Sequence, residues 1–355
     1  MTAPGALRAW LEDRLALGPV VRYLAHKEVP RHRHAFLYYT GSSILLFLAV
    51  QIATGVLLAL YYRPTLEEAN ASVARIVGEM PLGWLVRSLH SWSATLMIAF
   101  VLLHLLGIAL TKAYRRPREA TWVSGVFLLG VSLAFGFTGY LLPWDELSLA
   151  ATKVGTDLPK AIPIVGAWVT RVMRAGDDVT GDTLSRFFIV HVSVLPLVLL
   201  ALAAVHLYLV QRHGMSLPLD EERRGAKGPV LPFWPNFVLR EAAVWLVLVG
   251  VLLTVAVLAA PGLGPKADLM APAPEGIRPE WYFLFLFQTL KLFPAKVLGL
   301  SGELAALLVI TAGMAAFALL PFIDDRPAER KGRIVTAAVW AALAYAVGMS
   351  VWSLL

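Results

Sequence analysis

The sequence predicts an all-α membrane protein with seven transmembrane helices. Of its 355 residues, 58% are apolar and only 15% are Asp, Glu, Lys or Arg, whereas about 25% are charged in an ordinary soluble domain. Seven stretches lack those four residue types for long enough to cross a hydrocarbon core of about 30 Å at about 1.5 Å per residue. These stretches, named spans A to G, are residues 35–62, 88–111, 120–144, 187–211, 242–265, 304–323 and 334–355.

The arm before span A, residues 1–34, contains six Lys or Arg residues and no apolar run typical of a cleaved signal peptide. If the loops alternate across the membrane, this arm shares its side with three loops, and together they hold 18 Lys and Arg, against 10 on the other side. The positive-inside rule then predicts a cytoplasmic N-terminus and an external C-terminus. Topology thus explains the net charge of +7, and we expect no nucleic-acid partner.

The chain is predicted to divide at residues 214–237, where Gly, Pro and charged residues replace apolar sequence. We expect residues 1–213 to form the arm and a four-helix bundle, spans A to D, and residues 238–355 to form a three-helix domain. Between spans C and D, residues 166–176 are predicted to form an amphipathic helix, either resting on a surface or docking a partner. The apolar tract 281–290 is too short to cross the membrane, so we expect it near the external interface.

Four of the eight histidines lie inside predicted spans, two in span B and two in span D. His90 and His104 are 14 residues apart, and His191 and His206 are 15 residues apart. At about 100° per residue, each pair occupies one face of its helix, with about 21 Å between its members along the axis. Spans B and D run in the same direction, so we expect His90 at the depth of His191 and His104 at the depth of His206.

Each pair of imidazoles can offer a metal two donors. Zinc and copper sites usually have three or four protein ligands, whereas haem iron has four porphyrin nitrogens and needs only two axial ligands. The sequence therefore predicts two non-covalent b-type haems, held by His90 with His191 on the external side and by His104 with His206 on the cytoplasmic side. The chain has no cysteine, which excludes thioether-linked haem and cysteine-ligated iron–sulfur clusters from it.

Glycines repeat at a matching interval on the other two spans of the bundle. Gly41 and Gly55 in span A are 14 residues apart, as are Gly125 and Gly139 in span C. Glycine lets a flat macrocycle approach the backbone, and it is also common where membrane helices pack closely. Because the interval matches that of the histidines, we predict that these glycines line the two haem sites of the bundle.

Taken together, the motifs resemble the cytochrome b subunit of quinol-oxidising cytochrome bc and bf complexes, over nearly the whole chain. They are RSLH ending at His90, HLLG starting at His104, the second histidine pair, TGYLLPW at 138–144 and PEWY at 279–282. The 15-residue interval in span D and the seven spans resemble the plastid branch, in which the four-helix part and a three-helix subunit IV are separate chains. In this chain the two parts are fused.

The resemblance implies a lipid quinol bound near the external surface, between TGYLLPW and PEWY. Glu280 and Tyr140 would be catalytic, and Glu280 would take a proton from the quinol, because apolar neighbours raise the pKa of a carboxylate. From the residues alone, the aromatic side chains of both motifs also fit an interfacial aromatic belt. The residues implied to line the quinol site are Gly139, Pro143, Trp144, Pro279, Trp281 and Tyr282.

In that family, one quinol electron passes to a Rieske iron–sulfur protein, and the other crosses both haems to a cytoplasmic-side quinone while protons move outward. The resemblance thus implies a quinol:cytochrome c oxidoreductase of a bacterial inner membrane, with a Rieske protein and a c-type cytochrome as partners, assembled as a homodimer. Arg87 and Arg118 resemble the family's arginines that bind the haem propionates. Both positions also suit snorkelling or positive-inside charges.

Two departures from the plastid branch are visible. Tyr39 stands where that branch attaches an extra haem through a cysteine, so we expect no covalent haem c on this chain. The acidic residues of that branch's N-terminal arm are replaced around Arg22 and Tyr23. Location alone therefore suggests the residues of the cytoplasmic-side quinone site, which are Lys27, His34, Arg212 and His213.

Two other functions remain open. A two-haem anchor could pass electrons between quinone and an attached dehydrogenase without bifurcation, but it would have no need for PEWY and TGYLLPW. A transporter could use the membrane histidines as a proton relay, and it would contain no haem.

Overall fold

The computed structural model describes residues 3–16, 18–223, 228–272, 274, 276–325 and 329–355. It confirms the predicted fold class, a helical membrane protein. The helices in chain order are α1 (Ala3–Leu15), α2 (Gly18–His26), α3 (Tyr38–Ala59), α4 (Ala69–Gly78), α5 (Gly83–Thr111), α6 (Glu119–Tyr140), α7 (Glu146–Asp157), α8 (Gly166–Arg174), α9 (Gly181–Ile189), α10 (Leu195–His213), α11 (Leu219–Arg223), α12 (Val238–Leu258), α13 (Leu284–Lys291), α14 (Gly302–Ala318), α15 (Leu320–Ile323) and α16 (Arg330–Leu354).

Six of the described helical segments are long and apolar enough to cross a membrane, and they correspond to predicted spans A to E and G. Their bounds are Ala35–Ala59, Gly83–Thr111, Glu119–Tyr140, Gly181–His213, Phe233–Leu258 and Arg330–Leu354. Span F corresponds to α14, an apolar helix of 17 residues, with the short α15 after it. A crossing by span F stays a prediction.

Three spans end at least three residues earlier than the apolar sequence suggests, and the first of them is span A, expected to reach residue 62, whose helix ends at Ala59. Span E was expected to reach residue 265, but α12 ends at Leu258, and the chain continues through Pro261 and Pro265 without regular structure. Span C was expected to reach residue 144, but α6 ends at Tyr140, three residues before Pro143. Proline removes a backbone donor and clashes with the preceding turn, so these residues form loops despite their apolar neighbours.

The bundle is built from neighbouring helix pairs. The helix α3 packs against α5, α6 packs against α10, and α5 also contacts α6. The first helix of the predicted C-terminal domain, α12, lies on α3 and α5, where Leu252 shares a buried cluster with Phe47 and Met97. The division into two domains was predicted from the composition of the linker, and it stays a prediction.

The predicted linker pairs with the N-terminal arm through part of its length. Strand β1 (Glu28–Pro30) is antiparallel to β2 (Val230–Pro232), with Val29 opposite Leu231. A second two-stranded ribbon, β3 (Lys296–Val297) with β4 (Leu300–Ser301), precedes α14.

The spans define two ends of the molecule. We call the end that carries the described residues of segments 60–82, 141–180 and 259–283 the Trp144 end. The opposite end, with the described residues of the arm and of segments 112–118 and 214–237, is the Arg118 end.

Candidate haem and quinol sites

The fold brings the predicted histidine pairs together. His90 on α5 faces His191, which lies in a π-helical turn (Val190–Val194) between α9 and α10, and their ring centroids are 6.4 Å apart. Two metal–nitrogen bonds of about 2 Å each, with about 1 Å from each nitrogen to the centre of its ring, add up to about 6 Å. The separation therefore fits one metal between two axial imidazoles.

The second pair lies toward the Arg118 end. His104 and His206 are close enough for their rings to interact electrostatically. Each pair joins the inner faces of α5 and the helix that contains α10, so the two pairs lie at two depths of one bundle.

Each of the four rings makes a hydrogen bond that the sequence did not suggest. In every case the Nδ1 atom contacts a hydroxyl from a neighbouring helix. The Oγ–Nδ1 distances are 2.9 Å for Thr40 and His104, 2.9 Å for Thr54 and His90, 2.9 Å for Ser124 and His206, and 3.1 Å for Thr138 and His191. A sequence signal for them does exist, because each of these hydroxyl residues directly precedes one of the four spaced glycines.

The glycines lie beside the same rings. At each of the four positions, the nearest heavy atom to a hypothetical Cβ is the Cε1 atom of a histidine. The distances from this Cβ to the histidine Cε1 atom are 3.4 Å for Gly41 and His104, 3.2 Å for Gly55 and His90, 3.4 Å for Gly125 and His206 and 2.7 Å for Gly139 and His191. The missing side chains therefore leave room for the imidazoles, and a role toward the macrocycle itself stays a prediction.

The two predicted propionate arginines differ in what they contact. The Nη1 and Nη2 atoms of Arg87 donate to the carbonyls of Pro261 and Gly262, at 2.7 and 2.8 Å. Arg118 donates weakly to the carbonyls of Gly214 and His213, both at 3.3 Å. Its Nη1 atom is buried and has no hydrogen-bond partner in the described part of the chain, so Arg118 has a free donor for a carboxylate.

At the Trp144 end, the loop after α12 docks on the end of the TGYLLPW motif. The backbone of Ala267 donates to the carbonyl of Trp144 at 3.0 Å, and that of Glu146 donates to Pro265 at 3.2 Å. The carboxylate of Asp145 also accepts a hydrogen bond from the amide of Gly264, at 3.3 Å. These contacts hold the polypeptide that leads to PEWY against the end of α6.

PEWY itself reaches α6 through Tyr282. A Cβ at Gly136 would lie 2.5 Å from the Tyr282 hydroxyl, so this ring rests directly on the glycine. Tyr282 also interacts electrostatically with Glu280 and Tyr140. Burial raises the pKa of Glu280 above its ordinary value, because the charged carboxylate loses hydration. The structure thus places a carboxylate with a raised pKa near two phenols.

The other predicted quinol-site residues have different environments. Trp144 is only 1% exposed and belongs to a core cluster with Leu141 and Phe187. Pro143 is partly buried, and its carbonyl accepts a hydrogen bond from Asn70 at 3.2 Å. Pro279 is partly buried, while Trp281 is 39% exposed beside Tyr282.

The four candidates at the Arg118 end fall into separate groups. The Nζ atom of Lys27 donates to Gln211 Oε1 at 2.8 Å and lies 4.6 Å from the centroid of the Phe233 ring. Tyr23 donates to the same Gln211 oxygen at 2.9 Å. His34 accepts from Arg33, His213 contributes its carbonyl to Arg118, and Arg212 is exposed. Sequence reasoning missed Gln211 and Phe233, which are remote from Lys27 in the chain.

Comparison with known proteins agrees with this geometry. Residues 24–214 match the family Cytochrome b/b6/petB. The chain belongs to the cytochrome b family. Residues 266–353 match a second family, Cytochrome b(C-terminal)/b6/petD, so a cytochrome b part and a subunit IV part occur in one chain.

Two relatives and one solved structure extend this result. The chain is 44% identical over 327 residues to a "Cytochrome bc complex cytochrome b subunit" of Chlorobaculum thiosulfatiphilum, covering 92% of this chain and 75% of the relative. It is 41% identical over 210 residues to "Cytochrome b6" of Emiliania huxleyi, covering 59% of this chain and 97% of that protein. A chain of a structure titled "Hyperthermophilic respiratory Complex III" matches with a TM-score of 0.87 at 28% identity, covering 98% of this chain and 91% of that one.

Proposed function

We propose that this protein is the di-haem cytochrome b subunit of a bc-type complex. In this role it oxidises a lipid quinol at the Trp144 end and passes electrons in two directions. The observation that carries the proposal is the pair of histidine sites at two depths of one bundle, with Glu280 grouped beside Tyr140 and Tyr282. The relationship to a cytochrome bc complex subunit supports it.

The histidines and one arginine suit the haems that the family implies. His90 with His191 and His104 with His206 would hold the two irons, and Arg118 has a buried nitrogen free for a propionate. When bound, two haems would supply one-electron redox centres at two depths of the membrane. Tyr39 stacks on Phe237, with ring centroids 5.0 Å apart, and offers no thiol for a covalent haem.

Glu280 is proposed to accept a proton from the quinol hydroxyl. Its pKa is raised by burial. A pKa closer to neutral pH makes the carboxylate a better general base. Tyr140 and Tyr282 would orient the quinol head beside it. The proton then leaves toward the surface at this end, which the positive-inside prediction places outside the cell.

Lys27 is the best supported candidate for the cytoplasmic-side quinone. Burial lowers its pKa, although nearby Glu241 opposes the shift, so the ammonium gives up a proton more readily than an exposed lysine. Phe233 and Tyr23 provide aromatic surfaces next to it. We propose that this group protonates a reduced quinone at the Arg118 end.

We propose that a Rieske protein accepts one of the two quinol electrons and passes it to a c-type cytochrome. The iron–sulfur cluster must lie on such a partner because this chain has no cysteine to hold one. We propose that this partner docks on apolar side chains at the Trp144 end. Ile162 and Ile164, just before α8, and Trp168, in its first turn, are 40%, 101% and 67% exposed. Exposed apolar patches of this kind mark interaction sites. A homodimer is proposed from the family alone.

Two measurements on the purified complex test the proposal. A reduced-minus-oxidised spectrum should show two b-type haems per chain, and their absence would favour the proton-relay transporter. Glu280→Gln should then slow quinol oxidation by about 10²-fold or more, with both haems retained. Glu303→Gln, an exposed carboxylate in the first turn of α14, is the matched control. Unchanged turnover in Glu280→Gln would favour the simple two-haem anchor.

A further inference from the structure

The four hydroxyls that contact the histidines already use their only proton elsewhere. Each lies within hydrogen-bond distance of a backbone carbonyl of its own helix or the turn before it. The Oγ–O distances are 2.6 Å from Thr40 to Leu37, 2.6 Å from Thr54 to Val50, 2.8 Å from Ser124 to Thr121 and 2.8 Å from Thr138 to Ala134. A carbonyl oxygen can only accept, so in each pair the hydroxyl is the donor.

Because the hydroxyl hydrogen is donated to the carbonyl, the direction of the hydrogen bond between hydroxyl and histidine is fixed. A hydroxyl has one hydrogen and two lone pairs, so toward the histidine it can only accept. The Nδ1 atom of each ring must therefore carry the hydrogen.

A neutral imidazole that is protonated at Nδ1 has its lone pair on Nε2. We propose that Thr40, Thr54, Ser124 and Thr138 are positioning residues, which hold the four axial imidazoles in the Nδ1–H form with Nε2 directed to the metal. The glycine after each hydroxyl admits the ring edge, so each Thr-Gly or Ser-Gly dipeptide forms a socket for one ligand. This inference rests on the proposed function insofar as the metal is haem iron.

The hydroxyls should also affect the electronic state of the metal. An acceptor on Nδ1–H makes the imidazole a stronger electron donor, and such partners tune metal sites in other proteins. Removal of the acceptor should therefore favour the reduced iron and raise the midpoint potential of that haem alone. The sockets also fix the ring planes, which lie at 68° to each other for His90 and His191.

The test is a set of variants in the complete complex at the Thr54 and Thr138 sockets. Thr54→Val and Thr138→Val remove the hydroxyl at nearly constant volume, and Thr54→Ser and Thr138→Ser retain it. Ser132→Ala is the matched control on α6, because its buried hydroxyl donates to the carbonyl of Leu128. The readouts are haem content, the midpoint potential of each haem, and the low-temperature electron paramagnetic resonance spectrum, which depends on the angle between the ring planes.

We expect each Val variant to raise the potential of the external-side haem and change its resonance signal, or to weaken its retention by about tenfold or more. The Ser variants and Ser132→Ala should resemble the unmodified protein. Val variants with normal potential and signal would overturn the inference, as would Ser variants that behave like Val. Both results leave two b haems in the unmodified complex, so they are distinguishable from failure of the proposed function, in which those haems are missing.

Discussion

The Trp144 end and the Arg118 end of the bundle hold their histidines in the same way but are closed by different structures. At both depths a hydroxyl contacts Nδ1 and a glycine faces Cε1 of each ring. Beyond the rings, the Trp144 end has a partly buried carboxylate, Glu280, near two phenols. At the Arg118 end, the candidate quinone-site residues are basic side chains in separate hydrogen-bonded groups.

This difference separates two kinds of structural information. The sockets lie inside regular helices, where one spacing repeats the same contact at two depths. The closing structures are loops from distant parts of the chain, and each loop has its own contacts. The two ends can therefore share a cofactor chemistry and still handle protons differently.

The largest expected effect comes from removal of a ligand, and it tests whether the two depths are independent. His90→Ala and His191→Ala should each remove the haem nearer the Trp144 end, while His104→Ala and His206→Ala should each remove the other. An iron without one axial imidazole loses the bond that holds it. Redox titration of each variant identifies the missing haem, and loss of both haems from every single variant would contradict the pairing.

The glycine sockets should differ in their tolerance of one methyl group. An added Cβ would lie 2.7 Å from His191 Cε1 at Gly139, but 3.4 Å from the corresponding histidines at Gly41 and Gly125. We therefore expect Gly139→Ala to lose much of its external-side haem, and Gly41→Ala or Gly125→Ala to retain most of theirs. Haem content per protein is the measurement.

Gly130→Ala is the control for that series, because no described atom lies within 4 Å of a Cβ at this position on α6. Gly107, which was not assigned to a haem site, is unsuitable because its Cβ would lie 3.1 Å from Leu37. Equal haem content in all the alanine variants would show that the ring contacts do not limit binding.

The pH dependence of turnover should report on the Trp144 end. Glu280 accepts a proton only as the carboxylate, so quinol oxidation should fall about tenfold per pH unit below its raised pKa and level off above it. The same shift stabilises the fold at low pH. That contribution is complete below the ordinary Glu pKa and disappears as the pH rises through the folded-state value. If quinol oxidation still falls at low pH in Glu280→Gln, a group other than Glu280 causes the decrease.

The smallest expected effect concerns stability at the Arg118 end. Asp324 is 2% exposed and accepts hydrogen bonds from Lys112 at 2.7 Å and Tyr114 at 2.6 Å. Asp324→Ala leaves a buried ammonium without its counter-charge, and should cost about 3–5 kcal/mol. The matched change Asp325→Ala breaks an exposed ion pair with Lys331 and should cost about 0–1 kcal/mol. Thermal denaturation in detergent compares them, and equal costs would contradict this account.

Periodic features could be predicted from the sequence because they depend on the geometry of one helix. The spacing of His90 and His104, and the direction of their span, predicted the depth at which each faces a partner. The hydroxyls beside them were missed because Ser and Thr are common in helices and their role depends on a neighbouring helix. The ends of span E and span C were placed too far along the chain, since apolar composition outweighed Pro261 and Pro143 in the prediction.

The candidate sites at the two ends were predictable to different degrees. Glu280 and Tyr140 come from recognisable motifs. The contacts between their segments, which are backbone hydrogen bonds and the packing of Tyr282 on Gly136, were not predicted from the side-chain pattern. Lys27 was suggested by its position alone. Its contacts with Gln211 and Phe233 span about half of the chain, and no local spacing relates these residues.

The sequence by itself determined the helical membrane class, the depths of the four histidines and the absence of cysteine ligands. These follow from hydropathy, from the helix repeat and from composition, none of which needs a neighbouring segment. Only the tertiary structure decided which hydroxyl meets which imidazole, how Tyr282 rests on Gly136, and which groups surround Lys27. Such contacts join residues far apart in the chain, so they are set by how the helices and loops pack against one another.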